Sequence, residues 1–213
     1  MYTRSSWQRL AITGVALALS VIAAIPAIGQ EARLPRAKSP LTILGFESAD
    51  SAKRWTGTKS EVTTAHHSEG NSALAITLPK WEGGRAEQYL PARIDWADGQ
   101  GYTEKDWSHY GKVSFDAWID GTKPLQIMVA LHTNPDQDGW TKELMVEPGQ
   151  KNHFEMALQD ANDVIDLTNV KTIVVYSIRP AEDTKLTIDN FTLLPGDKMP
   201  IADFDLVYPN YRE

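Results

Sequence analysis

The feature that most constrains this chain is a series of short apolar alternations that runs from Leu41 to Pro195. Alternation with a period of two predicts β-strands, because successive strand side chains point to opposite faces of a sheet. Gly, Pro, Asn and Asp lie between the alternations, and these residues favour turns. About nine short strands, spaced by turns and without a long amphipathic helix, predict an all-β sandwich or barrel.

Two of the predicted strands have one apolar face and one mixed face. In "GKVSFDAWID" the mixed face carries Asp116 and Trp118, and in "PLQIMVALHT" it carries Gln126 and His132. The apolar faces belong between the sheets, which turns the mixed faces outward. An outward indole beside polar groups suits a sugar ring, whose apolar face stacks on the indole while its hydroxyls hydrogen-bond to polar neighbours. If the two strands are neighbours, these four residues form one surface.

Three further residues are candidates for the same ligand. Trp140 follows the stretch "NPDQDG", and Tyr176 and Arg179 belong to the strand "TIVVYSIRP". The stretch "NPDQDG" resembles the beginning of an EF-hand loop. However, Met145 occupies the position where an EF-hand has its bidentate Glu, and the flanking residues alternate like strands. It is therefore predicted to be a loop between two strands, with Trp140 either at its rim or in the core.

Four segments in order resemble the galactose-binding-like β-jelly-roll domains, the group that holds many carbohydrate-binding modules. They are "ILGFES", "SEGNSALAITLP", "DWSHYGKVSFDAWI" and "LTIDNFTLL". The resemblance implies a jelly-roll β-sandwich of two antiparallel sheets over residues 41–195. It does not identify a ligand, because many functions share this fold.

The resemblance also implies that the first and last strands are neighbours, with a structural calcium ion beside them. Glu47 ends the first strand and Asp189 lies in the last, while the turn that contains Glu69 and Asn71 offers further oxygen atoms. Hard oxygen ligands from separate segments are those that Ca²⁺ takes. The alternative is that Glu47 and Asp189 are hydrogen-bonded or solvated acids.

The ends of the chain are expected to lie outside the sandwich. Residues 1–29 have a positive start, an apolar run and small residues before Gln30, as a cleaved signal peptide does; an uncleaved anchor helix is the alternative. Residues 30–40 are predicted to be a linker, and residues 196–213 a tail that either docks on the sandwich or leads to a further segment. The mature protein is then periplasmic or extracellular, without a membrane segment.

We expect a noncatalytic protein that binds a polysaccharide or another glycan. The formal net charge of −7 and the lack of a basic cluster argue against nucleic acid as a ligand. No nucleophile, metalloprotease or phosphate-binding motif is present, and no carboxylate pair is placed across a scissile bond by the sequence. The alternatives are an interaction or scaffold domain of the cell envelope, and a β-sandwich glycoside hydrolase or lyase. The sequence does not give the oligomeric state.

Overall fold

The computed structural model describes residues 36–83, 89–96, 100–134 and 139–196. The predicted signal peptide, the first part of the predicted linker and the tail beyond residue 196 lie outside these ranges. Within them, no helix is both long enough and apolar enough to cross a membrane.

Eleven strands and three short helices make up the described part of the chain. In chain order they are β1 (Leu41–Leu44), α1 (Ala49–Lys53), β2 (Thr56–Gly57), β3 (Ser60–Thr63), β4 (Ala73–Leu78), β5 (Tyr89–Asp95), β6 (Lys112–Ile119), β7 (Leu125–His132), β8 (Trp140–Val146), β9 (Asn152–Ala157), α2 (Gln159–Asn162), a 3-10 helix (Leu167–Asn169), β10 (Thr172–Ile178) and β11 (Thr184–Leu194).

The strands form two antiparallel sheets. The six-stranded sheet has the order β3-β4-β11-β6-β9, with β1 also paired to β11, and the five-stranded sheet has the order β2-β5-β10-β7-β8. The first and last strands are therefore neighbours, as the resemblance implies. The prediction of an all-β jelly-roll sandwich of two antiparallel sheets is confirmed.

The core lies between the sheets and is made by the alternate apolar residues that the sequence singles out. Phe115 of β6 stacks on Phe191 of β11, with ring centroids 4.7 Å apart and planes inclined by 6°. Ile127 and Val129 of β7 are fully buried opposite them in the other sheet. Burial of such side chains stabilises the fold by about 1.5–3 kcal/mol each.

The "DWS" element before β6 is structural. Trp107 is fully buried, and its indole N–H donates to the backbone oxygen of Glu104 at 2.8 Å. Asp106 accepts from both the amide and the hydroxyl of Ser108, which holds the turn that leads into β6. These contacts place the start of β6 in register with β11.

The structure contains short elements that the alternation does not predict. Strands β2 and β3 have two and four residues, and α2 and the 3-10 helix have four and three. Elements this short hold at most two periods of a strand pattern or about one turn of a helix, so the sequence gives little sign of them.

Candidate functional site

The structure places four of the predicted ligand-binding residues, Asp116, Trp118, Gln126 and His132, on two different outer surfaces of the sandwich. Strand β6, with Asp116 and Trp118, lies between β11 and β9 in the six-stranded sheet. Strand β7, with Gln126 and His132, lies between β10 and β8 in the five-stranded sheet. The expectation that these two strands are neighbours is wrong, because the chain crosses from one sheet to the other in the turn between them. The four residues therefore do not form one surface.

The outer surface of the five-stranded sheet, here called the five-strand face, brings three of the predicted residues together. Gln126 and His132 of β7 face outward, since Leu125, Ile127 and Leu131 pack in the core. Tyr176 of β10 joins them, because it lies directly opposite Met128 of β7. Strand register adds outward residues from the flanking strands, which are Arg93, Asp95, Thr141, Glu143, Met145, Thr172 and Val174.

Register also shows a row of short side chains that crosses this face. Thr141, Ala130 and Val174 lie side by side on β8, β7 and β10, and Arg93 of β5 continues the row. The next row along the strands contains the longer side chain of Tyr176, which is half-buried. Thr141, Ala130 and Val174 are shorter than the Tyr176 side chain of the next row, so the side chains of the two rows differ in length across the strands.

A polar network lies on β5 and β10 of the five-strand face, and the sequence analysis missed it. The guanidinium Nε of Arg93 lies 2.9 and 3.0 Å from the two carboxylate oxygens of Asp95. The hydroxyl of Thr172 donates to the same carboxylate at 2.7 Å. Both charged side chains keep part of their surface exposed, at 33% and 43%. Their spacing of two residues within one strand would have indicated a shared face, but Pro91 obscured the alternation of β5.

Two predicted ligand-binding residues lie elsewhere. Trp140 begins β8 opposite Leu131 and belongs to the core, with 6% of its surface exposed, so it does not form a loop rim. Part of the loop before it, residues 135–138, lies outside the described residues. Arg179 follows β10 with a positive φ of 56°, and its guanidinium lies 4.9 Å from the ring centroid of Trp81. This cation–π contact holds Arg179 at the end of the strand.

Asp116 and Trp118 lie on the opposite surface of the sandwich, here called the six-strand face. Asp116 is 3% exposed, and its carboxylate lies 2.7 Å from Nδ1 of His153 and 3.6 Å from Nζ of Lys151. Trp118 is 8% exposed and stacks on His66 of the β3–β4 loop, with centroids 5.8 Å apart. Neither residue belongs to the core cluster, and both are far more covered than the sequence analysis expected.

A charged cluster continues beside Asp116 along β9. The ammonium of Lys112 lies 2.6 Å from the carboxylate of Glu155, and the ring of His153 lies 3.8 Å from the same carboxylate. The hydrogen bond from Lys112 is the main cause that lowers the pKa of Glu155 below its ordinary value. These groups are paired with one another and form a structural network rather than an open binding surface.

The residues expected to hold calcium do meet beside β1 and β11. Asp189 Oδ2 accepts from the amides of Ser68 and Glu69 at 2.8 and 3.0 Å, and the Glu47 carboxylate accepts from the amide of Asn71 at 3.0 Å. The turn therefore directs N–H groups at the two carboxylates. Within the described ranges, no three His, Cys, Asp or Glu side chains are grouped as metal ligands.

One atom in this region nevertheless fits a cation. Asp189 Oδ1 is buried and has no hydrogen-bond partner in the described part of the chain, and such a buried acceptor requires an explanation. Glu47, Asp189 and the side chains of Glu69 and Asn71 are the residues that would hold the ion. Calcium binding here stays a prediction.

The five-strand face has the chemistry to hold a polyhydroxylated ligand. Tyr176 offers a ring for stacking, Arg93 donates hydrogen bonds, and Asp95 accepts them. Tyr176 is the one Tyr, Trp or Phe on this face among the side chains that the structure describes.

Comparison with known proteins supports the same fold. No protein-family model and no curated protein matches the chain. Among solved structures, a family 11 carbohydrate-binding module from Clostridium thermocellum, in complex with a β-1,3-1,4-mixed-linked tetrasaccharide, has a TM-score of 0.54 and 15% identity. The match covers 74% of this chain and 96% of that module.

Two further structures illustrate the range of proteins that share the fold. A family 28 module specific for non-crystalline cellulose has a TM-score of 0.53 and 13% identity, over 76% of this chain and 98% of that one. An exo-β-agarase has a TM-score of 0.57 and 12% identity, over 75% of this chain but only 25% of the agarase. The chain shares the β-jelly-roll fold of the carbohydrate-binding modules, as its sequence predicts.

Proposed function

We propose that this protein is an exported, noncatalytic carbohydrate-binding protein that holds a polysaccharide chain on the five-strand face. The observation that carries the proposal is the shared location of Tyr176, Gln126, His132 and the Arg93–Asp95 pair on one outward surface. A sugar ring presents an apolar face and a rim of hydroxyl groups, and this surface offers a partner for each.

The energetic contribution of each partner can be scaled from related interactions. Stacking of a nucleobase on an aromatic side chain contributes about 1–3 kcal/mol, and a sugar on Tyr176 should gain no more. Hydrogen bonds to charged groups contribute about 1.5–3 kcal/mol, which applies to hydroxyls bound by Arg93 or Asp95. Binding of a short oligosaccharide in the micromolar to millimolar range requires about 4–8 kcal/mol, which these terms can supply.

The matched modules bind different glycans. They therefore support the proposal that this chain binds a glycan, but they do not indicate which one. One of those modules holds a β-1,3-1,4-mixed-linked tetrasaccharide, and the other is specific for non-crystalline cellulose. The agarase match extends over only a quarter of that enzyme. We therefore assign this chain binding rather than hydrolysis, and leave the sugar to experiment.

A second candidate function has a specific observation in its favour. Met145 and Ile178 are 47% and 43% exposed, and Met145 lies on the five-strand face beside Gln126. Exposed apolar residues of this kind also mark protein-interaction surfaces. An interaction domain of the cell envelope would use the same face against a protein partner.

A binding screen with matched variants separates the two functions. The full chain is applied to an array of polysaccharides that includes mixed-linked β-glucan, cellulose and agarose, and the affinity for any glycan bound is then measured by calorimetry. Tyr176→Ala and Asp95→Asn should each weaken binding by roughly tenfold or more. Val164→Ala, which changes an exposed apolar residue outside both sheets, serves as the control.

The proposal requires that the parent protein bind a glycan and that the substitutions on the five-strand face weaken this binding. A folded chain that binds none of the glycans, or a Tyr176→Ala variant that binds as tightly as the parent, would contradict glycan binding at this face. In the first case the exposed Met145 and Ile178 make the protein-interaction function the better assignment.

A further inference from the structure

A cavity of about 440 Å³ lies beside Trp118 on the six-strand face, on the side of the sandwich away from the proposed glycan face. The side chains used below that line it are His66, Trp118, Asp120, Gln150 and Lys151. Its volume falls within the range of about 300–1,000 Å³ that is typical of small-molecule sites. The proposed function does not use this cavity.

Strand pairing explains why these residues come together. Trp118 lies at the end of β6, and Asp120 follows in the next turn. Gln150 and Lys151 precede β9, which runs antiparallel to β6 with Ala117 opposite Asn152. The end of β6 and the start of β9 are therefore adjacent, and two turns meet beside the indole.

One side of the cavity is aromatic. The imidazole of His66 stacks on the indole of Trp118 with planes inclined by 12° and centroids 5.8 Å apart. His66 itself is exposed, whereas Trp118 is 8% exposed. The stacked pair gives a bound molecule an apolar surface together with the polar nitrogens of the imidazole.

The other sides offer hydrogen-bonding groups of both kinds. Asp120 Oδ1 accepts from the amide of Lys185 at 2.5 Å and the hydroxyl of Thr184 at 3.0 Å, which fixes the carboxylate and leaves Oδ2 as an acceptor. Among the described residues, the side-chain amide of Gln150 makes no hydrogen bond, so it can both donate and accept. A donor and an acceptor are thus held at fixed positions around the cavity.

The charges around the cavity favour a neutral ligand. The ammonium of Lys151 lies 3.6 Å from the carboxylate of Asp116, so its charge is already opposed. Asp120 adds one negative charge, but its Oδ1 is hydrogen-bonded. An anion would meet Asp120 and a cation would meet Lys151, whereas a neutral ring with several hydroxyls meets donors, acceptors and an apolar wall.

We infer that this cavity is a second carbohydrate site, which takes one or two neutral sugar rings independently of the five-strand face. The two sites lie on opposite sheets, so one polysaccharide segment would not occupy both. The protein would instead hold two chains, or two parts of one looped chain, at once. Such bivalency raises the overall affinity for a dense glycan surface by about 10²–10⁴ without any new contact.

The test maps binding residue by residue on the isotope-labelled full chain by nuclear magnetic resonance. The probes are methyl β-D-glucopyranoside and methyl β-D-galactopyranoside, each titrated into the millimolar range. We expect the indole N–H signal of Trp118 and the amide signals of Gln150 and Lys151 to shift and to saturate with at least one probe. The same shifts should persist in Tyr176→Ala, whose substitution lies on the other sheet.

Two glutamine substitutions, one at the cavity and one on the five-strand face, serve as the test variant and its control. Gln150→Ala should weaken the titration seen at Trp118 by roughly three- to tenfold through loss of a hydrogen bond, while Gln126→Ala on the five-strand face should leave that titration unchanged. Neither side chain belongs to the core, so both variants should fold. Trp118→Ala is not needed for the decision.

Two results would overturn the inference: the absence of a saturable shift at Trp118, Gln150 and Lys151 with both probes, and shifts there that disappear in Tyr176→Ala. Failure of the proposed function is distinguishable from failure of this inference: shifts at Trp118 that persist while no glycan binds at the five-strand face would contradict the proposed function alone.

Discussion

Asp116 and Asp189 lie directly opposite each other on the paired strands β6 and β11, and they are 3% and 0% exposed. Like charges in this position destabilise a sheet, so each carboxylate needs compensation. Asp116 obtains it from His153 and Lys151. Asp189 obtains it from N–H groups of the β3–β4 loop. The pair thereby connects β9, β6, β11 and that loop across the six-strand face.

Replacement of Asp189 should separate the effect of charge from that of hydrogen bonding. Asp189→Ala leaves the buried acceptor position empty and the amides of Ser68 and Glu69 without their partner, so we expect a loss of about 2–4 kcal/mol in the free energy of unfolding. Asp189→Asn keeps an acceptor oxygen and removes the opposition to Asp116, so the loss should be clearly smaller. Urea denaturation measures both. The exposed Asp50→Ala is the control, and equal losses in the two Asp189 variants would contradict this account.

Calcium binding at Glu47 and Asp189 predicts a thermal shift. An ion that binds only the native state stabilises it by about 2.7 kcal/mol at a hundredfold excess over Kd. The melting temperature should therefore be higher in millimolar calcium than in EDTA, and the difference should vanish in Asp189→Asn. Identical melting curves in the two solutions would remove calcium from this site, and the buried Oδ1 of Asp189 would then need another partner.

Trp140 should matter for stability rather than for ligand contact. It packs in the core opposite Leu131, so Trp140→Ala should cost about 3–5 kcal/mol in the free energy of unfolding. Tyr176→Ala on the outer surface should cost much less. Chemical denaturation of the two variants compares them directly. A Trp140→Ala variant as stable as the parent would show that the indole is not a core residue.

The hydrogen bonds of Glu182 connect two turns, and we expect acid to weaken them. Its carboxylate accepts from the amides of Thr122 and Lys123, and the hydrogen bond from Thr122 is the largest cause that lowers the pKa of Glu182 below its ordinary value of 4.5. Since the folded pKa is lower than the unfolded one, this contact stabilises the protein above pH 4.5 and is lost as the pH falls through the folded pKa.

The measurement compares the parent with Glu182→Gln between about pH 3 and pH 6, using the midpoint of urea unfolding. The variant should be less stable at pH 6, and the gap between the two proteins should narrow as the pH falls. Other acids, such as Glu61 and Glu155, also have lowered pKa values and remain in both proteins. A gap that stays constant with pH would exclude Glu182 as the titrating group.

The sequence also predicts where the mature protein begins. The apolar run and the small residues before Gln30 favour cleavage after Gly29. Terminal sequencing of protein recovered from the cell envelope or the medium should therefore start at or near Gln30. Recovery of a chain that begins at Met1 would favour the uncleaved anchor instead.

Local patterns in the sequence predict the longer strands but not which strands are neighbours in a sheet. Alternation predicts which residues of β6 and β7 point inward, and Phe115 and Ile127 do so. Alternation carries no information about which sheet a strand joins, and strands that follow each other in the chain pair often enough to make adjacency the natural expectation. The turn at Asp120–Pro124 instead carries the chain between sheets, which separates Trp118 from Gln126.

The polar network on the five-strand face shows a second limit of prediction from the sequence. Arg93 and Asp95 share a face of β5, but their importance depends on Thr172, which is 77 residues away from Asp95. The cavity at Trp118 likewise depends on the meeting of two separate turns and a loop. Contacts of this kind arise from strand register, which a single sequence does not specify.

The pairing of β1 with β11 has a consequence for how the protein folds. The hydroxyls of Thr42 and Thr192 lie 3.2 Å apart although 150 residues separate them in the chain. The central strand of the six-stranded sheet thus cannot receive its partners until nearly the whole domain has been synthesised. Folds dominated by such distant pairings form in milliseconds to seconds rather than microseconds. We expect slow, concerted folding in which fragments that lack residues 184–194 do not form the six-stranded sheet.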